Sequence, residues 1–173
     1  MNEYPTPEQC LLFLKKAGCS VEVINHCLAV RDVAVRIAKK AHANLELVEA
    51  GALLHDIGRS TTHGIRHGVD GAKIAKKLGL AIDLVLIIER HVGAGVPKEE
   101  AGPLGLPPKD YLPETLEEKI ICHADNLITG DKQQHIEQEI TKAMEKGQMK
   151  HAERLRRLHQ ELSTICGVDL NNI

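Results

Sequence analysis

Apolar residues recur at helical spacing along most of this chain. After Ser20, one face of a predicted helix carries Val23, Val30, Val33 and Ile37, whose separations of seven, three and four residues are close to one or two helical turns. No stretch shows the strict alternation of apolar and polar residues that is typical of a half-buried β-strand. The pattern predicts an all-α protein.

Capping residues and breaks divide the pattern into eight predicted helices. Thr6 with Pro7, Ser20 and Asn44 are placed to begin the first three helices. The others are expected from about His67, after Gly79, from about Glu114 to Leu127, and as two more after Gly130-Asp131. The last helix carries Leu155, Leu158, Leu162 and Ile165 at the spacing of a packing seam. We expect these last two helices either to cover the bundle or to form the seam of a homodimer.

Two segments lack this periodicity. Arg59 to Arg66 is polar and contains glycine, which indicates a loop rich in hydroxyl groups and cations. Gly93 to Pro113 holds five of the seven prolines, a composition that favours an ordered but irregular loop. This proline-rich loop is the best candidate for a lid.

Composition excludes several classes of function. A chain of 173 residues is long enough for one domain, residues 1–173, and its net charge of −2 gives no footprint for nucleic acid or for an anionic membrane. The aromatic residues are Tyr4, Phe13 and Tyr111, so the core must be aliphatic and no aromatic platform exists for stacking unpaired bases. We therefore expect neither a nucleic acid nor a membrane as partner.

Cysteine usage and hydropathy indicate the compartment. The five cysteines show no Cys-x-x-Cys spacing, which disfavours a disulfide framework. The first ten residues do not resemble a signal peptide, and no apolar run approaches the roughly 18 residues that a membrane span needs. A soluble, cytoplasmic protein is expected.

Metal-competent side chains occupy positions where the periodicity predicts apolar ones. The run Ala52-Leu53-Leu54 ends in His55-Asp56, and we expect Gly58 to end that helix. Similar positions on other predicted helices are held by His26, His67, His91 and Asp125. Burying such groups costs a few kcal/mol each unless partners satisfy them, and a shared metal centre satisfies them together.

The number of these ligands indicates two metal ions. Mixed imidazole and carboxylate ligation suits manganese, iron, cobalt, nickel or zinc, and Mg²⁺ is also allowed, whereas six ligands exceed what one tetrahedral zinc takes. Taken singly, each residue has a simpler explanation: a lone histidine such as His26 or His91 is usually a satisfied core or surface residue, Asp125 a salt-bridge partner, and His67 a solvated helix end.

The ordered set of a single histidine, the doublet within His55-Asp56-Ile57-Gly58, and the late Asp125 resembles the HD superfamily of metal-dependent phosphohydrolases. The resemblance spans Val21 to Leu127. It implies an all-helical bundle with a buried metal site, formed by residues of about 21–128, which the helices of about 131–166 cover or extend. A divalent transition metal is the implied cofactor.

Two further histidines narrow the resemblance. The stretches around His67 and His91 are similar to HD proteins that bind two metals, and the layout is similar to that of bacterial HD-type diadenosine tetraphosphate hydrolases. The resemblance implies that Asp56 bridges two metals, one held also by His26, His55 and Asp125 and the other by His67 and His91. The intervals around the two extra histidines are short here, and His63 competes with His67 for the same role.

The implied reaction is in-line attack of a metal-bound hydroxide on phosphorus. Arg59 is placed to contact a phosphate oxygen, and His63 to protonate the leaving oxygen, although both residues are also ordinary in a solvated loop. The substrate expected is a phosphomonoester or phosphoanhydride, in particular of a nucleotide. The alternatives are a phosphodiesterase acting on a cyclic or linear dinucleotide, a di-iron oxygenase of the HD type, and a binding module without turnover.

Overall fold

Side-chain caps begin the first three helices at the residues predicted from the sequence. The side chains of Thr6, Ser20 and Asn44 each accept a hydrogen bond from the backbone N–H three residues later, which satisfies one free donor of the helix end. In the computed structural model, which describes residues 4–173, the α-helices are α1 Pro7–Ala17, α2 Val21–Ala41, α3 Leu45–Leu54, α4 His67–Lys77, α5 Ile82–Arg90, α6 Lys98–Ala101, α7 Leu116–Asn126, α8 Ile136–Glu145 and α9 Met149–Cys166.

The core is aliphatic and is shared by the long helices. The predicted face of α2 is buried at Val23, Val30, Val33 and Ile37, and α2 packs against α3, α7 and α9. Burying one such aliphatic side chain contributes about 1.5–3 kcal/mol. The all-α prediction is confirmed, and the elements that carry the candidate ligands are held by this core.

The last helix covers the bundle rather than standing free of it. Leu155, Leu158 and Leu162 of α9 are buried within the chain, whereas Ile165 is 45% exposed. Three of the four residues of the predicted seam are therefore used for packing on α2, α7 and α8.

Several short elements differ from the prediction, among them the single turn of α6 in the segment expected to be an irregular loop. The expectation of no strand was wrong at one place, where β1 Ile128–Thr129 pairs antiparallel with β2 Lys132–Gln133 around Gly130, whose φ of +61° favours glycine in a tight turn. A two-residue strand is too short for alternation to be visible in the sequence. The segment expected to be a loop from Arg59 instead begins inside a 3₁₀ turn, Ile57–Ser60.

Gly58 has a different role from the one expected. Helix α3 ends at Leu54, and Gly58 is not among the residues with positive φ. A Cβ atom at Gly58 would lie 1.8 Å from the backbone oxygen of His67 and 2.6 Å from the backbone nitrogen of Gly71. The glycine therefore lets the 3₁₀ turn that follows His55-Asp56 pack directly against the first turn of α4.

The proline-rich loop is tied to the rest of the molecule. Val96 and Tyr111 exchange two backbone hydrogen bonds across it, of 3.2 and 2.8 Å, and it contains the single turn of α6. Arg154 of α9 donates two hydrogen bonds to Glu100, and Arg66 donates one to the backbone oxygen of Gly105. Within residues 4–173, no helix combines the length and the apolar character needed to span a bilayer.

Candidate metal centre

The elements bring the six candidate ligands together. Asp125 lies in α7 and His26 in α2, whereas the four others lie at helix ends: His55 directly follows α3 with Asp56 next to it, His67 is the first residue of α4, and His91 directly follows α5. Apart from His26 and Asp125, whose side chains are 17% and 20% exposed, all are buried. Residues far apart in sequence therefore form one buried cluster, which opens near His26 and Asp125.

Four of these side chains form a first group. Oδ1 of Asp125 lies 2.9 Å from Nε2 of His26 and 3.5 Å from Nε2 of His55. Oδ2 of Asp56 lies 3.7 Å from both of these nitrogen atoms. These three nitrogen and oxygen donors from His26, His55 and Asp125 lie within 4.8 Å of one another, close enough to share one ion.

The other histidines form a second group around the opposite oxygen of the same carboxylate. Nε2 of His67 lies 3.0 Å from Nε2 of His91, and Oδ1 of Asp56 lies 3.2 and 3.3 Å from these two nitrogen atoms. Asp56 thus presents Oδ2 to the first group and Oδ1 to the second. This is the arrangement that the family resemblance implies; the assignment of each residue as a ligand stays a prediction.

Backbone carbonyl groups orient all four imidazole rings. The Nδ1 atoms of His55, His67 and His91 lie 2.7–2.8 Å from the carbonyl oxygen three residues earlier in the chain. Nδ1 of His26 lies 2.6 Å from the carbonyl oxygen of Gly130 in the β1–β2 turn. A carbonyl accepts only, so Nδ1 must carry the proton, and the neutral ring then presents the lone pair of Nε2 to the cluster.

With the rings neutral, the Nε2 lone pairs of the histidines therefore face one another and the carboxylate oxygen atoms. Among the described residues, Nε2 of His55 and Oδ1 of Asp56 have no hydrogen-bond partner although both atoms are buried. Facing lone pairs in a buried site are unfavourable unless a cation lies between them. The donor set fits a divalent metal ion, since neutral imidazole and carboxylate are its usual nitrogen and oxygen ligands.

The pKa values of the cluster residues also reflect how closely the imidazole rings and the carboxylates approach each other. Burial opposes charge on His55, yet the carboxylates of Asp56 and Asp125 raise the pKa of His55 well above its ordinary value of 6.5. Burial likewise opposes charge on Asp56 and Asp125, yet the neighbouring His55 holds the pKa of both carboxyl groups well below the usual range. Without metal, a proton on His55 supplies the positive charge that these carboxylates require.

Besides Asp56, the residues predicted to act in catalysis are Arg59 and His63, and these two differ in position. Arg59 is 29% exposed in its side chain, and its Nε donates a hydrogen bond of 2.7 Å to Oδ2 of Asp56. His63 is exposed, and its backbone oxygen accepts a hydrogen bond from Arg59. The structure thus brings Arg59 into contact with the cluster. Arg59 contacts His63 through the backbone oxygen of His63 and not through its imidazole ring.

One polar network near the cluster has no signal in the sequence. His123 is fully buried and contacts Nδ1 of His159 at 2.9 Å, and Nε2 of His159 contacts Asp169 at 3.0 Å. Burial and the neighbouring His159 lower the pKa of His123 to about 3, so its ring is neutral. His159 is not an ordinary surface residue, because its partners lie on α7 and beyond the end of α9. The network ties α7, which carries Asp125, to the C-terminal helix.

Asn126 is a second polar residue that supports the cluster. It is buried, and its Nδ2 donates hydrogen bonds of 2.7 Å to the backbone oxygen of Gly93 and 2.9 Å to that of Cys122. Gly93 lies two residues after His91. The amide therefore joins the segment that follows His91 to the helix that carries Asp125.

Comparison with curated sequences places the chain among relatives of different lengths. It is 48% identical over 169 residues to a tRNA (cytidine(56)-2'-O)-methyltransferase of Thermoplasma volcanium, a match that covers 98% of this chain and 50% of that protein. It is 56% identical over 140 residues to an uncharacterized protein of Methanocaldococcus jannaschii, with 78% of this chain and 82% of that protein covered. The chain thus spans about half the length of the methyltransferase-named relatives that it matches.

A solved structure and a family model match the same fold. The HD domain of the L. monocytogenes phosphodiesterase PgpH, in complex with cyclic-di-AMP, superposes with a TM-score of 0.57 at 20% identity, covering 90% of this chain and 96% of that one. At this identity the likeness shows the fold alone. The family model described as HD domain matches residues 23–130, which contain all six candidate ligands. The chain therefore belongs to the HD domain family, as the order of its histidines and aspartates predicts.

Proposed function

We propose that this protein is a metal-dependent phosphohydrolase that uses two divalent ions to cleave a phosphomonoester or phosphoanhydride bond of a nucleotide. One observation carries the proposal: the carboxylate of Asp56 turns Oδ2 toward the imidazole nitrogen atoms of the first group and Oδ1 toward the two imidazole nitrogen atoms of the second group. A single structural ion would use only one of these groups.

The side chains have distinct roles in this proposal. When bound, the two ions would activate water for attack on phosphorus and neutralise charge on the phosphate oxygens. Asp56 fixes the spacing of the two sites, while the carbonyl-bound Nδ1 atoms keep the Nε2 atoms of the histidines unprotonated and directed inward. Arg59 lies at the partly exposed edge and offers its guanidinium to a phosphate oxygen.

A phosphodiesterase acting on a dinucleotide is the second candidate. It is favoured by the complex of the PgpH HD domain with cyclic-di-AMP, because that protein has the same fold. The 2'-O-methylation named for the Thermoplasma volcanium relative is not proposed here, since the match leaves half of that protein outside and the acceptor cluster is suited to cations.

Metal analysis and a substrate panel test the proposal. Purified protein is analysed for bound metal, stripped, and reloaded with Mn²⁺, Fe²⁺, Co²⁺, Ni²⁺, Zn²⁺ or Mg²⁺ before product release is measured. The panel contains nucleoside mono- and triphosphates, diadenosine tetraphosphate, cyclic and linear dinucleotides, and a short RNA. We expect two ions per chain and the highest activity with a nucleotide phosphate.

Asp56→Asn should remove both metal retention and turnover, whereas Asp131→Asn, an exposed aspartate in the β1–β2 turn, should change neither. Undiminished turnover in Asp56→Asn, or turnover that consumes oxygen stoichiometrically, would overturn the proposal. Preferential cleavage of dinucleotides would select the second candidate.

A further inference from the structure

A cavity of about 570 Å³ lies between the proline-rich loop and the start of α9. We call it the side cavity. Its lining includes Ile65, Val92, Gly93, Leu104, Met149 and His151. The lining contains none of the six candidate metal ligands, all of which belong to the described residues. The side cavity is therefore a space separate from the cluster itself.

The chain links the side cavity to the second group of ligands. Val92 and Gly93 directly follow His91, and Ile65 lies two residues before His67. Two residues of chain span at most about 7 Å, so both histidines of the second group are attached to the wall of the cavity. The wall of the side cavity therefore lies within two residues of chain from both histidines of the second group.

The lining favours an uncharged, partly apolar ligand. Val96, Leu104 and Met149 supply apolar surface, and Glu99 and Gln148 supply a few polar groups. Its volume lies within the roughly 300–1,000 Å³ that is common for small-molecule sites, and this mixture of walls is typical of them. A nucleobase with its ribose has the same character, namely flat apolar faces with hydrogen-bonding edges.

The wall contains three basic residues, of which Lys150 is exposed to solvent, and the other two do not make it a phosphate site. Arg154 donates hydrogen bonds of 3.0 and 2.7 Å to the two carboxylate oxygens of Glu100, which neutralises its charge. Burial and Arg154 lower the pKa of His151, so the His151 ring is neutral at pH 7. The charge of the phosphate therefore belongs at the metal centre and the neutral nucleoside in the cavity.

The walls are held in place without a ligand. The Glu100–Arg154 pair joins the proline-rich loop to α9, and the oxygen of Gly93 accepts hydrogen bonds from Asn126 and Cys122. Gly93 has a φ of +60°, and a Cβ atom there would lie 2.6 Å from Cε1 of His151. The positive φ and this close contact both favour glycine where the loop approaches α9.

We infer that the side cavity binds the nucleoside part of the nucleotide substrate while its phosphate lies at the metal centre. The placement of the phosphate rests on the proposed function. The occupation of the cavity by a nucleoside is tested separately from it.

Intrinsic fluorescence provides a direct test, because the chain contains no tryptophan. Met149→Trp introduces one at the rim of the cavity, where Met149 is 54% exposed, and Met144→Trp introduces one on α8 outside the lining, where Met144 is 42% exposed. Both proteins are treated with EDTA and titrated with adenosine, guanosine, cytidine, uridine and inorganic phosphate. We expect at least one nucleoside to change the emission of the Met149→Trp protein saturably, and none to change that of the Met144→Trp protein.

A second variant tests the same inference by kinetics. Leu104→Trp fills part of the cavity from the proline-rich loop and should raise the KM for the nucleotide substrate about tenfold, with a much smaller effect on kcat. Base preference should also change in Gln148→Ala, because an amide group is removed from the lining.

The outcomes separate the two proposals. If nucleosides change the fluorescence but no phosphate is released from any nucleotide, the inference stands and the proposed function fails. If nucleotides are hydrolysed while no nucleoside affects the Met149→Trp protein and Leu104→Trp leaves the KM unchanged, the inference is overturned. A response of the Met149→Trp protein to inorganic phosphate alone would also overturn it.

Discussion

Replacing His91 by Ala should remove one metal ion and leave the other. His91 supplies one of the three ligand atoms of the second group, which would retain only His67 and Oδ1 of Asp56. The first group keeps all four of its ligand atoms, since none of them comes from His91. We expect the number of bound ions to fall from two per chain to one.

The size of the effect on stability follows from linkage. An ion present at 100 times its dissociation constant stabilises the folded state by about 2.7 kcal/mol. Loss of one of three ligands should weaken the binding of that ion roughly a hundredfold or more. Removal of a residue that only hydrogen-bonds to a ligand already weakens metal affinity about 10–100-fold. The stabilisation from the second ion then falls to about 0.4 kcal/mol, a loss of about 2.3 kcal/mol. For a chain of this length that corresponds to a decrease in Tm of roughly 5–9 °C.

The assay compares each protein with itself. The Tm of metal-loaded His91→Ala is measured against the Tm of the same variant in EDTA, so that the cost of the cavity left by the imidazole, roughly 2–5 kcal/mol, cancels. His159→Ala, which removes a half-buried imidazole outside both groups, is the control and should keep the full metal-induced increase. Two ions per chain and an unchanged metal-induced increase in His91→Ala would refute the assignment of the second group.

Three further predictions concern the surroundings of the cluster. Gly58→Ala should destabilise the protein by about 3 kcal/mol or more, because its Cβ would meet backbone atoms of His67 and Gly71; an unchanged Tm in calorimetry would contradict this. Arg59→Met should lower kcat/KM for the phosphate substrate about 10–100-fold, whereas His63→Ala should change it less than about threefold because that side chain is exposed; steady-state kinetics of both variants decide this. In the metal-free protein, the stabilising proton of His55 is fully present below its ordinary pKa of 6.5 and is lost as pH rises through the raised pKa, and metal binds the unprotonated ring. The difference in Tm between metal-loaded and metal-free protein should therefore widen from pH 6 to pH 9, and a constant difference would count against the cluster as the metal site.

The sequence was sufficient to predict the eight longer α-helices and the residues of the cluster, but not the four-residue α6. His26 and Asp125 are visible because a polar residue on an apolar helix face is costly unless something satisfies it, and helical spacing alone reveals such positions. The pair His55-Asp56 can be recognised in the sequence because it directly follows an apolar run. What could not be predicted is which oxygen of Asp56 faces which histidine, since that depends on the packing of five separate segments.

Other features depend on contacts that leave no local pattern. The network of His123, His159 and Asp169 joins residues that are 10 and 36 positions apart, and each looks ordinary in its own helix or turn. Gly58 was expected to end α3, as a glycine after an apolar run usually does. Its real requirement, the approach of α4, is a property of tertiary structure.

The histidines at the ends of α3 and α5 also close those helices. His55 and His91 each donate Nδ1–H to a carbonyl of the last helical turn, Ala52 and Ile88, which is among the groups that a helix end leaves without a partner. Fraying of either helix end and release of a ligand are thus one event. Metal binding should therefore slow amide hydrogen exchange in the last turns of α3 and α5 far more than in α8. The ions would then stabilise the backbone at these helix ends in addition to their proposed role in catalysis.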